Sequence, residues 1–507
     1  MKKKVVIIGA GIGGLATANL LAKAGFEVDV YEKESIPGGR AGQLKVNGYK
    51  FDTGPSWYLM PSVFEHYFEL LNEDIKDHLK LKRLDPAYKV FFENSTPLTI
   101  SSNLKKDAKT FEGIEKGSGD QLKKYVDKSQ KIYRASLDHF LYTNFTSIKD
   151  FLSLEVLKFG PRMLKLSLQS IDSYVSGYVK DLRLKQVLEY PMVFLGTSPF
   201  SAPAIYSLMS ALDFEEGVFY PAGGMYKIIE ALFNIGKSLG VRFHFNQDVN
   251  AIDIKNGVAN GIKLKSGKEI VADIVISNSD IYHTDNFLTQ EKYRSYSDKY
   301  WDKLDPSPSA LLMYIGVKGK IKDFEHHNLI FVDEWKKNFD DIYKNKKAPQ
   351  KASIYIGMAS KSDPSIAPKE NENVFVLVPL PADLKLSKME TERLSEHYLK
   401  QIMNMTGVDL LESQDYISYF GPNDFATKFY SWKSSMLGPS HILKQSAMLR
   451  TPNKSKKVKN LYYVGAGVTP GIGLPMCLIS AELIYKRLAG DKKGGKVSKL
   501  NSGLGEL

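Results

Sequence analysis

One cysteine, Cys477, is the only thiol in 507 residues, and a single thiol excludes an intramolecular disulfide. Its neighbours Pro475, Met476, Leu478 and Ile479 are mostly apolar, which predicts a buried, inert side chain. Histidine is scarce, nine in all. Only His326 and His327 adjoin, beside Asp323 and Glu325, and that charged stretch reads as a surface loop with no metal site. Acidic residues fall short of basic ones, 57 against 69, leaving a net charge of +12. The excess is mostly scattered lysine, without an arginine-rich helix, zinc spacing or RNA-binding aromatic motif, so nucleic acid is not an expected partner. A solvated lysine surface and an anionic membrane face both remain open. No uncharged apolar stretch approaches the roughly 20 residues that cross a bilayer. The run from Val5 to Ala22 behind Lys2-Lys3-Lys4 imitates a signal peptide, but it carries four glycines and Asn19. Two stretches, Gly54-Pro55-Ser56 and Gly438-Pro439-Ser440, begin like nucleophile elbows yet lack the closing glycine, which argues against serine hydrolysis.

What is there begins at the N-terminus. Val5-Val6-Ile7-Ile8 reads as a buried parallel strand, Gly9, Gly11 and Gly14 form a G-x-G-x-x-G turn, and Leu15 to Ala24 read as the following helix. In such a unit the first glycine allows the tight turn, the second admits a pyrophosphate to the backbone, and the third lets helix and strand pack closely. Glu27 to Glu32 alternates as the next strand and ends in an acid. A carboxylate there accepts hydrogen bonds from an adenosine ribose and repels a 2′-phosphate, which points away from NADP. No second G-x-G-x-x-G exists, so a built-in NADPH site is not expected.

Pro37-Gly38-Gly39-Arg40 then supplies an unhindered backbone and a guanidinium suited to pyrophosphate, with Gly39 and Arg40 as candidate contacts. Gly54-Pro55-Ser56 is a further turn that brings backbone near a flat ring. With these residues the sequence resembles the flavin-containing amine oxidase superfamily. Asp52-Thr53-Gly54-Pro55-Ser56-Trp57-Tyr58-Leu59-Met60-Pro61 is similar, within it, to the bacterial carotenoid desaturases, especially phytoene desaturases. Asn460 to Met476, holding Gly465, Gly467, Gly473, Pro475 and Met476, resembles their C-terminal flavin segment. Gly217 to Met225 and Gly421 to Phe425 are also similar to family motifs, so the resemblance covers nearly the whole chain.

The resemblance implies an α/β architecture, a Rossmann-like FAD-binding domain interleaved with a mixed-sheet and helical substrate domain. The expected flavin segments are 1–61, 215–300 (with Val249 as a contact) and 431–490. A helical, membrane-associated part is expected over 62–214, a substrate-domain sheet over 301–430, and a basic flexible tail over 491–507. Gly224 to Gly240 reads as a helix, Val241 to Phe245, Val249 to Ile254 and Gly261 to Leu264 as strands, and Lys268 to Asn278 as the strand returning to the flavin sheet. Ala310 to Val317 and Val374 to Pro379 are strand candidates for the other sheet.

The expected chemistry is dehydrogenation of an unactivated hydrocarbon, with FAD as the hydride acceptor and oxygen or a quinone as final acceptor. A polyene offers nothing ionic to grip, so an apolar tunnel must hold it by burial at about 25 cal/mol per Å². Pro475 suits the first turn of the last helix, whose N-terminus favours negative charge on a reduced ring. Trp57, Tyr58, Leu59 and Met60 are candidates for the tunnel wall or for ordinary core. No catalytic acid or base is identified by the sequence. Between Phe151 and Tyr178, apolar residues including Leu154, Leu168, Ile171 and Val175 recur at helical spacing beside Lys158, Arg162 and Lys165. This fits either a core-packed helix pair or a basic face on one leaflet of a membrane. The resemblance favours the second, hence a cytoplasmic protein peripheral to the membrane. An oxygenase, a thirty-carbon desaturase, an amine oxidase and a non-catalytic prenyl-binding escort protein are the competing readings.

Overall fold

The computed structural model describes residues 2–144, 165–446 and 449–506. Its centre is a five-stranded parallel sheet in the spatial order Leu461–Tyr463, Ile274–Ser277, Lys4–Ile8, Glu27–Tyr31, Arg242–His244. Strands from three distant stretches of chain thus lie side by side. Helix Ile12–Lys23 covers one face, packed against helix Leu474–Leu488 and helix Tyr226–Ser238. Burial on both faces explains why Val5 to Ile8 carry no polar alternation. The close packing has a specific origin: a Cβ on Gly14 would lie 2.1 Å from the Gly9 carbonyl oxygen.

A second, seven-stranded sheet runs Gln414–Phe420, Ser309–Val317, Glu372–Leu380, Ile354–Gly357, His327–Phe331, Tyr88–Phe92, Ser95–Ile100. It is antiparallel except where His327–Phe331 runs parallel to Tyr88–Phe92. All nine residues of Ser309–Val317 are buried. A three-stranded antiparallel sheet, Val249–Lys255, Val258–Leu264 and Glu269–Val271, stands beside the parallel one.

Four expectations need correction. The stretch 62–214 is not wholly helical, because Leu81–Arg83, Tyr88–Phe92 and Ser95–Ile100 are strands. Tyr88–Phe92 is buried apart from Lys89, so its pattern hides the period of two that marks a half-exposed strand. Lys268 to Asn278 is two strands, Glu269–Val271 in the small sheet and Ile274–Ser277 in the parallel one. His326 and His327 are buried, the latter opening a strand of the large sheet. Their charged neighbours belong to the preceding loop.

The tail is the fourth. Val497, Leu500 and Leu504 are buried, and Gly505 donates to the Ala24 carbonyl while accepting from Lys3 N–H. The reason lies in the last helix, whose buried Lys486 donates to the carbonyls of Tyr142, Lys493 and Gly495. Glu482 on the same helix accepts from Val497 N–H at 2.6 Å. Buried charges of this kind need hydrogen-bond partners, and the tail provides them.

Much of Phe151 to Tyr178, including Leu154, Lys158 and Arg162, lies outside the described residues. Within the described part, Ile171 and Val175 of helix Ile171–Val175 are buried in the hydrophobic core, Lys165 is exposed and Leu168 is 71% exposed. Among the described residues no helix is long and apolar enough to cross a membrane. Leu504→Ala should cost about 2 kcal/mol of stability, the lower end for truncating a buried leucine. Urea melts of the two proteins measure it, and identical curves would refute a packed tail.

Candidate functional site

A cleft of about 470 Å³ opens at the carboxyl edge of the parallel sheet. Four of the five strand ends deliver residues to it: Ile8 and Gly9, Tyr31 and Glu32, Asn278 and Ser279, Tyr463 and Val464. Ligands of open α/β sheets bind in such crevices. Of the residues singled out by sequence, Gly9, Gly11, Glu32, Gly39, Arg40, Pro55, Val249, Gly465, Gly467 and Gly473 line the cleft. Gly14, Gly54, Ser56, Pro475 and Met476 do not.

The absentees stand directly behind the lining. Gly54 packs against Arg40, where a Cβ would come within 2.2 Å of the Arg40 carbonyl oxygen. Ser56 Oγ donates to the Gly54 carbonyl at 3.2 Å and tightens that turn. Pro475 and Met476 belong to the first turn of helix Leu474–Leu488, and their neighbours Leu474 and Cys477 face the cleft instead.

Glu32 is buried, and its two carboxylate oxygens accept from Ala10 N–H at 2.7 Å and Glu34 N–H at 2.9 Å. Burial nevertheless raises its pKa above the ordinary carboxylate range, the amide bonds opposing. Each oxygen keeps a lone pair for a further donor. Arg40 donates to Ser431 Oγ at 2.6 Å, stands 3.8 Å from Asp280 and lies over the Phe429 ring. Its Nε is buried without a hydrogen-bond partner in the protein.

Two residues escaped sequence reasoning. Asn278 donates its backbone N–H to Ile8 and packs its amide into the glycine turn, so that a Cβ on Gly11 would meet Asn278 Nδ2 at 2.7 Å. Asp280 accepts from Tyr282 N–H and Trp432 N–H and faces Arg40. Both follow the strand Ile274–Ser277, and position after a parallel strand was the available signal.

The aromatic candidates divide. Tyr58 is fully buried and stacks on Phe64 at 4.4 Å, as core. Trp57 stacks on His327, ring centroids 4.1 Å apart, within a box of Tyr88, Tyr190, Phe194 and Tyr355. His327 Nδ1 is 2.8 Å from the Tyr355 hydroxyl, and burial holds the imidazole well below its usual pKa, hence neutral. Among the described residues no cluster of three or more histidine, cysteine or carboxylate side chains is arranged to hold a metal.

Fold and cleft together define a dinucleotide-binding scaffold. The family model for flavin containing amine oxidoreductases matches residues 12–483. A carotenoid 3,4-desaturase of Haloarcula japonica is 37% identical over 488 residues, covering 96% of this chain and 98% of that protein. A zeta-carotene-forming phytoene desaturase of Myxococcus xanthus is 34% identical, covering 96% and 94%. Among solved structures, putrescine oxidase bound to putrescine shares the fold with a TM-score of 0.63 at 14% identity, covering 97% and 99%. The chain belongs to the flavin containing amine oxidoreductase family and, within it, to the carotenoid desaturases.

Cys477 at the cleft wall is buried, and that burial pushes its thiol up to about 12. Thiolate is then scarce at pH 8, and alkylation of the native protein should be far slower than in denaturant. Mass spectrometry after a timed iodoacetamide pulse measures the ratio. Equal rates would mean that the thiol is open to solvent.

Proposed function

We propose that this chain is an FAD-dependent desaturase that introduces double bonds into a C40 carotenoid precursor, phytoene foremost. The observation that carries the cofactor half is the buried Arg40 Nε without a protein partner, beside the Gly9–Gly14 turn in the cleft. An anionic pyrophosphate fits that donor, with charge-assisted bonds, and the N-terminus of helix Ile12–Lys23 adds its own attraction. Glu32 would take the adenosine ribose, and Gly39 and Val249 would border the nucleotide. Thr53, Pro55, Tyr314, Leu437 and the segment from Val464 to Leu474 would enclose the ring. When bound, FAD supplies the two-electron acceptor for C–H removal. The protein's part is to exclude water and align an apolar chain against that end, as burial requires of a substrate without polar handles.

The division of labour follows from the sheets. The parallel sheet and its helices serve the cofactor, and the seven-stranded sheet with the helices near it serves the substrate. Oxygen or a quinone is the proposed final acceptor. A second reading, desaturation of a carotenoid at the 3,4 position, is supported by the 37% identical relative. The two oxygenases of thirty-carbon carotenoids are more distant, each 28% identical.

Purified protein should be yellow and release FAD on denaturation. Arg40→Ala should weaken FAD binding by about 1.5–3 kcal/mol, the range for charge-assisted bonds. A colourless, folded protein indifferent to added FAD would end this reading. Anaerobic mixing of the holoprotein with phytoene in liposomes should bleach the flavin as coloured product forms, without NADPH. Bleaching by a soluble amine and not by phytoene would move the assignment to amine oxidation.

Attachment to one membrane leaflet is part of the proposal, since a carotene dissolves there and not in water. The exposed Leu168, Leu443 and Leu449 support it, at 71%, 43% and 57% exposure. Leu168 adjoins Gln169 in the chain, Leu443 and Leu449 lie three residues either side of Ser446, and the segment Ala204–Tyr206 bonds to both Gln169 and Ser446. Replacing all three leucines with serine should reduce flotation with anionic liposomes while leaving flavin content unchanged. Wild-type protein that never floats would sink the docking idea.

A further inference from the structure

Arg450 is 3% exposed and lies behind the cleft residues Ala466 and Val468. Its guanidinium donates four hydrogen bonds, all to backbone carbonyls: Nε to Val468 at 3.1 Å, one terminal nitrogen to Ala466 at 2.6 Å, the other to Pro439 and Gln445 at 3.3 and 3.4 Å. Carbonyls satisfy the donors but leave the charge uncompensated. Among the described residues no carboxylate forms an ion pair with it. Burial lowers its pKa only to about 10, so it stays charged at neutral pH.

An unpaired buried cation is costly, by several kcal/mol after relaxation. An anion in the cleft would offset that cost. The cleft wall in front of Arg450 consists of Leu437, Gly438, Ala466, Gly467, Val468 and Cys477. None of these six is acidic, and of the carboxylates that line the cleft, Glu32, Glu34, Asp248 and Asp280, the last faces Arg40. The peptide geometry adds to the field. With the Ala466 carbonyl turned onto Arg450, the trans peptide turns Gly467 N–H the opposite way.

We propose that Arg450 is the fixed positive charge that makes this cleft prefer the reduced, anionic flavin over the oxidised, neutral one. The inference rests on the FAD reading above. Removing a hydride from one carbon and a proton from its neighbour leaves a carbon–carbon double bond. The hydride brings two electrons and one hydrogen to the ring, which gains one negative charge, and the proton passes to water. Arg450 acts on that charge through Ala466 and Val468, as a positioning and electrostatic residue that does not touch substrate. It thereby favours hydride removal from a carbon with no heteroatom to assist.

The test uses purified holoprotein and its apoprotein, with Arg450→Met, which removes the charge, and Arg450→Lys, which keeps it. Dissociation constants are measured for oxidised and for dithionite-reduced FAD, and the midpoint potential by equilibration with redox dyes. Arg450→Met should lose at least tenfold in affinity for reduced relative to oxidised FAD, a fall of about 30 mV for a two-electron couple. Arg450→Lys should recover part of it. Equal weakening of both forms with an unchanged potential would make Arg450 a structural rivet only and overturn the inference, while leaving the FAD reading intact. Wild-type protein that binds neither form overturns both. If Arg450→Met does not fold, a pH titration of the reduced wild-type holoprotein decides. An anionic reduced-flavin spectrum that persists into the acid range supports the inference, and a neutral reduced flavin at pH 7 overturns it.

Discussion

The arrangement hangs on one close contact, the approach of the Gly14 backbone to the Gly9 carbonyl. It lets helix Ile12–Lys23 lie directly on the parallel sheet, and the N-terminus of that helix then opens into the cleft. Asn278 completes the joint by filling the space beside Gly11 that a side chain would occupy. Any side chain at these glycines would lift the helix from the sheet and blunt the field of its N-terminus. Much of the cleft's edge depends on this joint, since Gly38 N–H bonds to the Ala10 carbonyl and brings Gly39 and Arg40 alongside.

Charge is distributed unevenly along the cleft. Around Glu32 and Arg40, charged groups have partners: Glu32 accepts from backbone amides, and Arg40 stands near Asp280. Around Ala466 and Val468 the side chains are small or apolar, and the charge sits one layer back, on Arg450. Low dielectric strengthens a fixed charge that water cannot reach, so a guanidinium behind the wall acts on the cleft without offering a polar surface to an apolar substrate. His327, stacked on Trp57, is likewise kept neutral by burial.

The order of the C-terminal tail follows from a similar electrostatic demand. Lys486 and Glu482 lie on the buried side of the last helix because that helix is covered on nearly every side. Their hydrogen-bonding capacity draws residues 493–497 onto the protein, and the backbone of Ser502 and Gly505 then packs against the loop at Gly25. A lysine- and glycine-containing composition that reads as flexible in isolation is ordered here by partners it cannot name in its own sequence.

Sequence by itself determined the local units whose chemistry is contiguous. Strand, glycine turn, helix and acid from Val5 to Glu32 were legible because each residue's role is set by neighbours a few positions away. The Gly39-Arg40 pair and the Gly465 to Gly473 loop were legible through a family pattern of the same local kind. Tertiary structure decided whatever depends on residues distant in the chain. Tyr88–Phe92 forms a local hairpin with Ser95–Ile100, but its place inside the sheet is set by His327–Phe331, 239 positions on. His327 is buried because Trp57 stacks on it, and Asn278 and Arg450 acquire their places only when the parallel sheet has closed. Local periodicity records which face of an element is buried, but carries no trace of what buries it.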